Sequence, residues 1–210
     1  MDELASLLKL ALTVAPFGQQ LERTASALTL EPAGVTIVPW MLTADRISRP
    51  GFFVTQGRLG LNANTVYGRD SPRAAVRQAM QCVLAQAPAF WAGSYSNGDI
   101  GALVGVARRA IEWTGMEQAI VPITNGIQFA PAGTAVTYGR FQDGEGGVTR
   151  GVFALRERPK PGEPNFVNHE GVLECSLFMF REDSLRVALR HVLDAVLDQV
   201  LGTRPSAESA

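Results

Sequence analysis

Residues 70–86 read DSPRAAVRQAMQCVLAQ, and residues 183–199 read DSLRVALRHVLDAVLDQ. At this constant offset of 113, Asp70, Ser71, Arg73, Ala75, Arg77, Val83, Leu84 and Gln86 are identical to their counterparts. Other pairs exchange one apolar residue for another, as Val76 with Leu189 and Met80 with Leu193. Apolar residues three and four apart share one side of a helix, so the pattern specifies the same amphipathic helix twice. The offset also sets Gly34-Val35-Thr36 against Gly147-Val148-Thr149, Leu42 against Leu155 and Phe53-Val54 against Phe166-Val167. Trp40 and Tyr67 then fall opposite Phe153 and Phe180. We read an internally duplicated helix–strands–helix unit. The first repeat covers 1–97. The second covers 98–210, with an inserted hairpin near 119–141 and a mobile C-terminal tail.

The segments between the repeated helices carry the remaining elements. Leu4, Leu7, Leu8, Ala11 and Leu12 form a helical stripe over 2–13, and a weaker helical stretch runs near 19–28. GVTIVPWML (34–42) is rich in β-formers and ends near Pro39; the turn-like SRPG (48–51) follows. FFVTQ and RLGLNANTVY read as strands. Ser71 is an N-cap with Pro72 at the first helical position, where its missing N–H costs nothing. A helix near 99–113 opens the second repeat, Asn125-Gly126 marks a hairpin turn, and VTRGVFALRE and VLECSLFMF lead to the last helix at 184–201. Helices flanking antiparallel strands define an α+β fold, antiparallel sheets covered by helices.

Composition narrows the function classes. With 46% hydrophobic and 19% charged residues the chain is an ordinary globular one. A net charge of −1 argues against direct nucleic-acid binding, which calls for a basic excess. The N-terminus MDELASLLKLALTVAPFG opens with Asp2 and Glu3, unlike a secretory signal, and is too short to span a bilayer. A cytoplasmic protein without membrane attachment is expected. Cys82 and Cys175 are too few for a disulfide framework or a zinc site, and Cys82 reads as a buried thiol.

Chemistry-bearing motifs are missing. The two histidines, His169 and His191, have no partners at metal-ligand spacing. No P-loop, nucleophile elbow or H-E-x-x-H occurs. GEGGVTRG (144–151) precedes a strand, whereas a dinucleotide loop follows one. The expectation is a protein that is not an enzyme and carries no cofactor.

Two clusters stand out instead. Arg73 and Arg77 are i, i+4 neighbours, as are Arg186 and Arg190. Like charges at that spacing repel by a few tenths of a kcal/mol. Asp194 and Asp198 continue the second row and offset it, whereas the first continues with Gln81 and Ala85. Either the row is a solvated face inherited by duplication, or it meets carboxylates on another subunit or partner. Phe90, Trp91, Tyr95 and Trp113 form an aromatic group suited to packing between the repeats or to lining a ligand pocket there.

A strand of the form GVTIVPW followed by a helix opening with Asp-Ser resembles the tail terminator proteins of phages. So does VLECSLFMFREDSLRVALRHVLDAVL, a strand running straight into an amphipathic helix. That resemblance covers half of each repeat. It implies a virion structural protein of the phage tail: a homo-oligomer, typically a six-membered ring that caps a tube, with copies of itself and other structural proteins as partners. The same strand-to-helix ending resembles the chaperones of type III secretion, which bind extended partner segments. An enzyme or ligand-binding protein with a pocket between the repeats is a third class.

Overall fold

Ser71 shows how closely local sequence sets an element in this chain. Its backbone is extended (φ −138°, ψ 153°), its Oγ accepts from the Ala74 N–H at 3.3 Å, and Pro72 follows as the first helical residue. This computed structural model describes residues 1–44, 47–56, 65–88, 99–142, 148–156, 172–173 and 184–202. The chain runs α1 (Asp2–Val14), β1 (Gln20–Arg23), β2 (Leu28–Glu31), β3 (Val35–Ala44), β4 (Ile47–Gln56), β5 (Thr65–Arg69) and α2 (Pro72–Ala85). It continues as α3 (Ile100–Thr114), β6 (Ala119–Ile123), β7 (Gly126–Ala130), β8 (Thr134–Gln142), β9 (Val148–Arg156), β10 (Val172–Leu173) and α4 (Ser184–Leu201). The fold is α+β.

Residues divide into two compact units. The first holds Met1–Ala87, Thr114–Met116 and Asp194–Ala210; the second holds Pro88–Trp113 and Glu117–Leu193. This division differs from the expected cut at residue 97, because the last part of α4 belongs to the first unit.

In the first unit β1 to β5 form an antiparallel meander in chain order. α2 lies on β3, β4 and β5, with α1 packed beside it. Leu4, Leu8 and Ala11 of α1 and Ala75, Val76, Ala79, Met80 and Val83 of α2 are buried together with Leu28, Leu30, Val35, Ile37 and Val54 of the sheet. Full burial of a Leu or Val side chain stabilises by about 1.5–3 kcal/mol, so this face supplies most of the unit's driving force. In the second unit β6, β7, β8 and β9 pair antiparallel in that order, and β10 pairs parallel with β8. Its buried residues include Leu103, Ala107 and Ala110 of α3, Ile127, Phe129 and Val136 of the sheet, and Ala188, Leu189, Val192 and Leu193 of α4.

The two halves follow the same element order, but in two registers. The helices α2 and α4 match at 113: Ala75, Val76, Ala79, Met80, Val83 and Leu84 are buried, and so are Ala188, Leu189, Val192, Leu193, Val196 and Leu197. The first helix and the early strands match at 99. Leu4, Phe17, Leu28, Leu30 and Ile37 are buried, as are Leu103, Met116, Ile127, Phe129 and Val136. The same polar contact recurs at that offset. The Ala33 N–H donates to Gln19 Oε1 at 2.9 Å, and the Ala132 N–H donates to Gln118 Oε1 at 3.0 Å. Each contact holds a Pro-Ala-Gly turn whose glycine, Gly34 or Gly133, is left-handed (φ 64° and 68°).

Several sequence expectations are thereby corrected. Val35 opens β3 and Val148 opens β9, which occupy different places in their sheets, so the strands do not correspond at 113. Residues 119–141, the region of the expected inserted hairpin, hold β6, β7 and most of β8. The extra length falls mainly between β9 and α4, where residues 157–183 stand against 57–71 in the first half. Residues 19–28 form β1 and the start of β2 in place of a weak helix, because strand pairing overrides a marginal helical preference. Pro39 does not end β3, and SRPG lies inside β4. Ser184 is the first residue of α4, and its Oγ donates to the Val152 carbonyl at 2.7 Å. The expected mobile tail and most of VLECSLFMF lie outside the described residues.

Candidate functional site

Arg77 projects from α2, and both of its carboxylate partners are in the same unit. Its Nη2 donates to Asp198, its Nη1 lies 4.0 Å from Asp194 Oδ1, and the Gln81 Nε2 donates to that same Asp194 oxygen at 2.9 Å. The side chain of Arg77 retains 16% of its exposure and Asp194 24%. Asp194 and Asp198, expected to offset Arg186 and Arg190, thus hold Arg77. The carboxylates sought on another subunit are supplied to Arg77 by its own chain. Arg73 lies against Gly202 just past the end of α4, where a Cβ would stand 3.3 Å from its Nη1. A cation there suits the negative end of the helix dipole. Arg186 is half-buried on α4 and Arg190 is exposed.

The aromatic group is not assembled among the described residues. Trp113 is half-buried in α3, while Phe90, Trp91 and Tyr95 lie outside them. Cys82 is buried and receives the Gln78 Nε2 at 3.5 Å; Gln78 also accepts from the Arg69 guanidinium. His169 and Cys175 lie outside the described residues. No group of three or more His, Cys, Asp and Glu that could hold a metal occurs among the described residues.

A surface that the sequence reading passed over is formed by the outer half of the β3–β4 hairpin. The two strands pair from Val35↔Gln56 to Ala44↔Ile47. β2 reaches only to Ile37 on one side, and β5 only to Phe52 on the other. From the Trp40–Gly51 pair outward the hairpin is an arm whose two strands pair only with each other among the described residues. The arm carries exposed apolar residues on both faces, with Thr43, Ser48 and Arg49 toward its tip. On one face Trp40, 57% exposed, stacks on Phe53 with ring centroids 5.7 Å apart. Beside it Leu42 lies so close over Gly51 that a Cβ there would meet Leu42 Cδ1 at 2.4 Å. Pro39, Trp40, Met41, Pro50, Gly51 and Phe52 border an open hollow of about 730 Å³ that Met1 and Asp70 also line. Met41 is 50% exposed. The sequence signal was PWML followed by RPGFF, where odd and even positions are both apolar.

Such an arm can bury area against another chain. Comparison with family models, with curated proteins and with solved structures found no match to the chain. No helix among the described residues is long and apolar enough to cross a membrane.

Proposed function

We propose that this protein acts by assembly and not by catalysis, using the β3–β4 arm of the first unit as its contact surface. Its partners are copies of itself and other structural proteins in the cytoplasm, the arrangement implied by the resemblance to ring-forming tail terminators. The observation that carries this reading is the solvent exposure of Trp40 and Met41 on the β3–β4 arm, beside Pro39 and Pro50. Isolated exposed apolar residues are ordinary, but a contiguous group marks an interaction site, and Trp is the residue most enriched where interface energy concentrates. Arg77 is engaged within its own chain by Asp194 and Asp198. The two halves are best read as copies of one unit, supported by the paired Gln19 and Gln118 contacts.

Multi-angle light scattering over a concentration series tests the proposal. The wild type is expected at a multiple of the 22.5 kDa chain, and Trp40→Asp at the monomer mass with an unchanged circular dichroism spectrum. A strict wild-type monomer at high concentration, with no partner recovered on a tagged bait, would remove the reading. A second reading, a chaperone-like module that binds an extended segment, is favoured by the edge of β3, which no described strand covers beyond Ile37.

A further inference from the structure

We draw no further inference here: the strongest candidate, the open hollow beside the β3–β4 arm lined by Met1, Trp40, Met41, Phe52 and Asp70, belongs to the contact surface already described, and nothing in the structure shows what covers it.

Discussion

Arg77 is where the structure and a reading of the helix in isolation give opposite expectations. Taken as a solvated row, Arg77 should tolerate charge reversal without loss of stability. In the structure it donates to Asp198 and lies beside Asp194, with only 16% of its side chain exposed. Fully exposed ion pairs contribute at most about 1 kcal/mol, and breaking a fully buried one costs about 3–5 kcal/mol. Asp198, 47% exposed, belongs near the first limit; Asp194, 24% exposed and also held by Gln81, lies between them. Arg77→Met keeps the apolar stem and removes the charge. It also leaves Asp194 and Asp198 as like charges one helical turn apart, a further few tenths of a kcal/mol. The expected loss is about 1–2 kcal/mol, rising to about 2–4 kcal/mol for Arg77→Glu, which sets three carboxylates together. Urea unfolding at low salt gives the values, and a double-mutant cycle of Arg77→Met with Asp198→Asn should show coupling of about 0.5–1 kcal/mol that shrinks in high salt. An Arg77→Met protein as stable as wild type, with no coupling to Asp198, would refute the pairing and return Arg77 to the solvent.

Three further outcomes follow from the same geometry. Leu189 and Leu193 are fully buried, so truncating either to Ala should cost about 2–5 kcal/mol in urea unfolding, with a smaller loss for Val200→Ala at a half-buried site. Gly51→Ala drives a methyl into Leu42 and within 2.8 Å of the Arg69 carbonyl; the backbone cannot yield as a side-chain end can, and about 1–3 kcal/mol should be lost. Asp2 accepts from Arg23 at 2.7 Å, and that hydrogen bond holds its carboxyl below the ordinary value of 3.8. Because the folded value is depressed, any stabilisation from this contact is complete above about 3.8 and is lost as the pH falls through the lowered value. An NMR titration of Arg23→Gln should show Asp2 moving back up; an unmoved midpoint would dismiss the contact.

The helices were legible because a 3.6-residue period survives substitution. α4 begins and ends where the spacing places it, and six buried positions of α2 recur in it. The strands carry much less information. Leu28, Leu30 and Ile37 correspond to Ile127, Phe129 and Val136, and no pair is identical. A pleated, half-buried surface accepts any of these apolar side chains, so only the Pro-Ala-Gly turn repeats outright. The triplet Gly34-Val35-Thr36 therefore found a false match at 113. Prolines misled in a similar way. Pro39 and Pro50 read as strand ends, yet both sit where a strand needs no donor toward its partner. The partners of Arg77 were beyond local reasoning, since Asp194 and Asp198 lie 117 and 121 residues away.

The second half of the protein shows what the arm does not need for folding. Trp40 and Met41 correspond at the strand offset to Gly139 and Arg140. β8 nevertheless runs through those positions and pairs with β9 along its whole length. The hairpin itself therefore has no need of an exposed Trp-Met pair to form; a glycine and an arginine suffice. Nor does burial account for the pair, because both side chains keep half or more of their exposure. Exposed apolar surface on a sheet edge is also a hazard, since unpaired strands template unwanted pairing. The second unit meets that hazard with β10, which covers the edge of β8 at Arg140 and Phe141. In the first unit no described strand covers the edge of β3 beyond Ile37, and the exposed Trp40 and Met41 lie beside it. Folding explains neither choice. The proposed contact with another chain accounts for both.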